Sequence, residues 1–429
     1  MASSTMSRRA LLAAAGATLA AAGCGGGGFT SAESDNKRGS GSGATAKPTL
    51  RMLVNITPNL TKTFWRELVA PFEKANNVTV TIEAPTGEGV KDTLPQLLAA
   101  GNPPDVVETL MADATLAPHM HELTGETWVA DTPLVEQAAL DGSVYTVGVG
   151  MQAQSLVFYN KAAFAKAGVT GTPEHFDELT QVMGKLEEAG YLPLQTAGDY
   201  VTGLQLLQLA WPSVIGGNPS WYADVAAGKI QAGESLLPYL ELYASWLDRG
   251  YLDKNALGLK DVDAQTAFFS GKSAMYIMGS WLVSTEATTE KDFEVGVFSA
   301  PTQAGQPYPG PMGATMAMPY MVFKNSPNRD QAIELVKWLA TDKKAILTQL
   351  EQDGNFRAGY DWSGGGVGSA VSTLLAEAPS TTPQGEGYGS QTLPVGFNTE
   401  FGKAVQGLYV GRTPEKVAGD LDAWMRANA

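Results

Sequence analysis

From Pro48 onward the chain alternates short apolar runs with stretches of helical period. Residues 50–54 read as a strand, residues 62–75 repeat Phe64, Leu68 and Phe72 at helical spacing, and residues 78–82 form a second β-branched run. Strand, helix and strand within about 35 residues make a βαβ unit, which requires a parallel sheet. A short helix over 92–100, stopped by Gly101, then leads into a third strand that begins at Pro104-Asp105-Val106-Val107. The pattern predicts an α/β lobe.

Farther along, the apolar runs 145–150 and 155–159 are separated by Met151-Gln152-Ala153-Gln154, where the chain would leave one lobe for another. Thr172 and Pro173 mark the start of a helix with Phe176, Leu179, Met183 and Leu186 on one face, ended by Gly190. Up to Tyr251 the pattern stays mainly helical and aromatic, with Trp211, Trp221, Tyr239, Tyr243 and Trp246. A second lobe richer in helix fits this region.

The most informative stretch is 268–281, FFSGKSAMYIMGSW. Residues 273–278 carry almost no charge, as a strand covered on both faces should. Gly279 and Ser280 end it and place Trp281 at a strand end, the position where open α/β sheets hold ligands. On spacing alone, a buried core position explains Trp281 equally. Beyond it the pattern predicts a strand over 293–298, a Pro/Gly-rich crossing over 301–311, an apolar run over 316–323 and an amphipathic helix over 325–340. Residues 354–389 read as loop, and Thr413-Pro414 opens a last helix with Val417, Leu421 and Trp424 on its buried stripe. No internal repeat is visible.

At 429 residues the chain exceeds what a single core usually supports, so two lobes are expected. Its 29 basic and 44 acidic residues leave a net charge of −15 and argue against nucleic acid or an anionic membrane surface as partner. The amino terminus differs from the rest. Arg8 and Arg9 precede the apolar stretch 10–22 and then Gly23-Cys24. About 13 apolar residues are too few to span a bilayer, so this reads as an export signal. Residues 7–12 resemble a twin-arginine signal, and Ala21-Ala22-Gly23-Cys24 resembles a lipobox, with Ala21 where Leu is usual. Residues 1–23 would then be removed, Cys24 acylated, and 24–47, rich in Gly and Ser, would act as a flexible tether. Losing Arg8 and Arg9 leaves 27 basic against 44 acidic residues, a net of −17. As the only cysteine, Cys24 permits neither an intrachain disulfide nor a thiolate metal cluster.

Four stretches together resemble the sugar-type extracellular solute-binding proteins of ABC importers, the group that includes maltose-binding protein. They are 100–106 (AGNPPDV), 157–168 (beginning VFYNK), 269–281 (FSGKSAM to GSW) and the helix after Pro327. The resemblance implies a two-lobed α/β fold of the periplasmic-binding-protein type with a ligand cleft between lobes. On that pattern 48–151 and 300–345 form lobe one, 152–299 and 346–429 form lobe two, and 151–154 and 299–311 are hinges. It also implies a monomeric lipoprotein on the outer face of the cytoplasmic membrane. There it would capture a carbohydrate by lobe closure and deliver it to a permease, without catalysis, cofactor or metal.

Sugars present apolar C–H faces and a rim of hydroxyls, so aromatics should supply affinity and amides and carboxylates should supply selectivity. Trp281 matches the family's cleft aromatic, and Asp113 falls where the family often places a ligand-facing carboxylate. Asp113 as a helix cap, and Asn55 and Glu88 as turn residues, are the structural alternatives. The other candidates are Gln152, Gln154, Asp199, Tyr200, Trp211, Arg357, Phe397 and Asn398. Met312 and Gly313, in a glycine-flanked segment, would bring backbone against the ligand.

Competing chemistries find less in the sequence. Gly271-Lys272-Ser273 would end a phosphate-binding loop, but Thr266 stands where that loop needs glycine. His119 and His121 have only His175 to complete a metal site. Asp261 and Asp263 as a glycosidase pair compete with a solvated loop. Two alternatives stay open: an extracellular glycoside hydrolase, and a receptor for a polyol phosphate such as a glycerophosphodiester. The second would require convergent cations, of which Arg357 is the clearest candidate.

Overall fold

The computed structural model describes residues 47–85, 89–198, 201–360, 362, 365–377, 387–388 and 391–428. The export signal, the tether and Cys24 lie outside the described residues, as do Glu88, Asp199 and Tyr200.

Two four-stranded sheets organise the fold. The first contains β1 (Thr49–Leu53), β2 (Thr79–Glu83) and β3 (Val106–Glu108), all parallel, as the βαβ pattern requires. The helix Lys62–Asn76 connects β1 to β2 and buries Phe64, Leu68 and Phe72. Its start is fixed by Thr61, whose hydroxyl accepts from the Phe64 N–H.

After β3 the chain runs irregularly to β4 (Gly150–Ala153), which is the crossing anticipated at 151–154. Ser155, held at φ +58°, then turns it into β5 (Leu156–Asn160). The second sheet is completed by β6 (Leu192–Gln195), β7 (Ser273–Met278) and β8 (Val295–Ser299), in the order β6-β7-β5-β8. All six residues of β7 are buried, as its lack of charge foretold.

The chain returns through β9 (Ala314–Ala317), antiparallel to β4, and β10 (Tyr320–Val322), which closes the first sheet beside β3. A third pass is made by Phe356, whose backbone exchanges bonds with Met151 at 2.7 and 3.0 Å. The segments joining the sheets are therefore β4, β9 and the stretch ending at Phe356.

This differs from the expected hinge at 299–311. Thr302 and Gln303 bond to Glu174 and Ser213, and Met312 lies in the core beside Leu156, so this segment packs with the second sheet. Ile346 and Leu350, beyond the expected boundary at 345, pack in the first-sheet core instead. Charge-poor loop sequence hid where the crossing occurs.

Two further elements were not legible. The stretch read as loop after Gly354 contains the helix Gly365–Glu377, masked by its glycines and serines. The helix Phe397–Tyr409 packs Phe397, Phe401, Val405 and Leu408 into the second-sheet core. The helix expected from Thr172 begins only at Phe176, where Glu178 accepts from the Glu174 and His175 N–H groups. Among the described residues no helix is long and apolar enough to cross a membrane.

Candidate functional site

The carboxyl ends of β1, β3 and β7 and the crossing strands β4 and β9 converge on one cavity of about 860 Å³. Of the sequence candidates, Asn55, Asp113, Gln152, Gln154 and Trp281 line it. β7 delivers Trp281. Ser280 is fully buried, and its N–H and hydroxyl bond to the Ala153 backbone, which staples the end of β7 to β4. Trp281 then opens the helix Leu282–Thr288 with its ring half-buried against the second-sheet core. The ring folds back over Gly279, where a Cβ would lie 2.0 Å from Trp281 Cζ3.

Two acids that the sequence reading passed over dominate the floor. Glu108, the last residue of β3, is 1 % exposed and accepts from the Asn55 N–H at 2.9 Å. Burial pushes its carboxyl up to about 8, helped slightly by the charge of Asp353 and opposed by the hydrogen bonds from Asn55 and Thr109. Asp353 is 6 % exposed and is pushed up to about 6, again by burial. Hydrogen bonds from Asn355, Asn59 and Gln152 oppose that shift. Glu108 did leave a signal, because an acid ends an otherwise apolar strand at its carboxyl end. Asp353, in the polar run Glu351-Gln352-Asp353-Gly354, looks like a solvated turn and left none.

Asn59 is a further node. Its side-chain amide reaches Trp281 O at 3.2 Å and Ser284 Oγ at 2.9 Å, while Thr285 Oγ1 donates to its Oδ1. The loop after β1 is thereby tied to the helix after β7. Asp113 divides its duties: Oδ1 accepts from the Thr115 and Leu116 N–H groups at 2.8 Å each, a local cap, while the residue still lines the cavity. Asp261, expected in a solvated loop, also lines the cavity and accepts from Tyr276 and Gln265. Asp263 accepts from the Lys260 N–H at the start of its own helix.

The remaining described candidates lie outside the cavity lining. Trp211 is 1 % exposed in the second-sheet core, its indole donating to Tyr222 at 3.0 Å. Phe397 is fully buried there, and Asn398 follows it on an exposed face. Met312 is core, and Gly313 uses its carbonyl on the Gln154 N–H. Arg357 donates to the carbonyls of Val149, Ala340 and Asp131 and so ties the crossing segments together. Composition alone did not separate these anchored groups from ligand-facing ones.

Two lobes around a polar-floored cavity narrow the comparison, and residues 57–346 match the bacterial extracellular solute-binding protein family. The chain belongs to that family. Its fold also resembles those of solved proteins. A sugar transporter protein from Bacillus licheniformis, in complex with stachyose, has a TM-score of 0.72 at 19 % identity and covers 88 % of this chain and 99 % of that one. An ABC-transporter binding protein from Bifidobacterium animalis subsp. lactis, in complex with mannobiose, has a TM-score of 0.68 at 18 % identity and covers 89 % and 94 %. Among curated proteins, a binding protein of Brucella abortus (strain 2308) is 26 % identical over 228 residues, covering 50 % of this chain and 51 % of that one. The chain spans about half the length of the curated relatives it matches.

Proposed function

We propose that this solute-binding protein captures a neutral carbohydrate in the cavity and hands it to the permease of an ABC importer. The observation that carries the reading is the pairing of one half-buried ring, Trp281, with the amides and acids of Asn55, Gln152, Glu108 and Asp353 around one cavity. An aromatic face takes the C–H side of a pyranose, and covering about 100 Å² of it contributes roughly 2.5 kcal/mol before association costs. The acids select through hydroxyls. A carboxyl that keeps its proton near neutral pH, as Glu108 does, donates one hydrogen bond and accepts others. The stachyose and mannobiose bound by the two neighbours fit the same class.

In this reading the lobes rotate about β4, β9 and the segment ending at Phe356, a hinge motion common in two-lobed binding proteins. Residues 1–23 direct export, and a lipid on Cys24 holds the monomer at the outer face of the cytoplasmic membrane through the tether.

A polyol phosphate finds less support. Lys91 is the only base lining the cavity among the described residues, and Arg357 is engaged with backbone carbonyls elsewhere. Catalysis has no role in the reading, in keeping with a family of binding proteins.

A thermal-shift screen of residues 24–429 against neutral mono-, di- and oligosaccharides, sugar phosphates and glycerophosphodiesters tests this. A ligand at 100 times its Kd adds about 2.7 kcal/mol to stability. Stabilisation by a neutral saccharide without its hydrolysis is expected. Selective stabilisation by phosphates, or turnover of glycosides lost on changing one carboxylate, would overturn it.

A further inference from the structure

We propose that the ligand is amphipathic, a carbohydrate carrying an aliphatic substituent, and that the first-sheet wall of the cavity binds the aliphatic part. This rests on the carbohydrate reading and adds a second half to the ligand.

Among the described lining residues Trp281 is the only aromatic, so these residues offer a single platform for a sugar face. The first-sheet side of the lining sets a group of apolar side chains among Lys91, Thr109, Asp113 and Thr115. Pro95 comes from the helix Val90–Ala99, Leu110, Met111 and Leu116 come from the loop after β3, and Met316 comes from β9. Leu110, Met111 and Leu116 are half-buried and line the cavity, although Leu110 and Leu116 also pack on the core behind them. Flexible thioethers and branched aliphatic groups mould to alkyl chains and offer nothing to hydroxyls.

A second observation points the same way. The exposed large apolar side chains among the described residues are Ile56, Val262, Val395 and Val410. Val395, 60 % exposed, itself lines the cavity, so a large apolar side chain stays open to solvent at the site. At about 860 Å³ the cavity stands near the upper end for small-molecule sites, leaving room beyond the ring held by Trp281.

The test is calorimetric titration of residues 24–429 with paired methyl and hexyl glycosides of glucose, galactose, mannose, xylose and N-acetylglucosamine, below micellar concentrations, with 1-hexanol alongside. Five added methylenes, at roughly twofold each or more, should tighten binding by about 30-fold or more for at least one head group. Hexanol should bind far more weakly than that hexyl glycoside. Leu110→Asn and Leu116→Asn, both half-buried and packed in part on the core behind the wall, should shrink the hexyl-to-methyl ratio measured per folded molecule at least about fivefold, with some loss of melting temperature.

If no hexyl glycoside binds more tightly than its methyl partner, the inference is overturned, and methyl glycosides that bind well would leave the carbohydrate reading standing. Hexanol matching the hexyl glycosides overturns it too and removes support from the carbohydrate reading. A hexyl-to-methyl ratio unchanged in both variants overturns the assignment to this wall.

Discussion

The six-membered edge of the Trp281 indole fills the space above Gly279, 2.0 Å from where a Cβ at that position would stand. The glycine therefore seats the ring. Any side chain at 279 must push the indole away from β7 and toward the cavity. Gly279→Ala should weaken saccharide binding about tenfold or more while the chain still folds, with a loss of about 1–3 kcal/mol for the overpacking. Paired titrations and thermal melts read both. Unchanged affinity would mean that the seat of the ring is irrelevant to the ligand.

Removing the ring is the complementary change. Trp281→Ala takes away a stacking face worth roughly 2–3 kcal/mol, so affinity should fall by about 30- to 150-fold. Because the ring is only half-buried, the folded protein should survive with a modest drop in melting temperature. A collapsed melt with unchanged affinity per folded molecule would make Trp281 a core residue only.

Glu108 and Asp353 give the protein a signature in pH. Folding raises Glu108 from its ordinary 4.5 to about 8, and Asp353 from 3.8 to about 6. Between those limits the folded chain holds protons that the unfolded chain has released, so stability must fall as pH rises. Each unit of raised pKa costs about 1.4 kcal/mol once the group is ionised. The melting temperature should therefore decline from about pH 4 through about pH 8, and Glu108→Gln should flatten the upper part of that decline. A wild-type profile that rises across the window would show the acids to be stabilised as carboxylates.

Asn59 joins the loop after β1 to the helix after β7 through Trp281 O, Ser284 and Thr285. At about 1 kcal/mol for each net hydrogen bond, Asn59→Ala should release roughly 3 kcal/mol of contact across the cleft. Small-angle scattering of the ligand-free variant should show a larger radius of gyration than the parent. An identical scattering curve would show that Asn59 does not restrain the lobes.

Much of this architecture was legible in the sequence, for physical reasons. β7 announces itself because a strand buried on both faces must be continuously apolar, whereas the βαβ opening shows as two short strand-like runs around a segment of helical period, from which the parallel pairing of β1 with β2 follows. Trp281 could be singled out because a large ring directly after Gly-Ser at a strand end lies where such sheets hold ligands. The crossing at β9 could not, since Ala314 to Ala317 is as apolar as any core strand. Trp211, Phe397 and Arg357 show the converse difficulty. A buried Trp–Tyr bond, a helix packed into the core and three carbonyl contacts are decided by partners far away in sequence. Asp353 is the clearest case. Its neighbours are polar, yet Gly354, at φ +59° and with no room for a Cβ beside Ser280 O, folds the turn against β7 and buries the acid. Only tertiary packing makes that residue part of the site.

The most direct measurement is isothermal titration of residues 24–429 with neutral oligosaccharides and with their phosphorylated or uronic counterparts, repeated on Trp281→Ala. Saturable binding of a neutral saccharide, weakened about 30-fold or more by the substitution and accompanied by no glycoside cleavage, is the result expected of a carbohydrate receptor. Binding confined to the anionic counterparts, or neutral binding indifferent to Trp281, would contradict it.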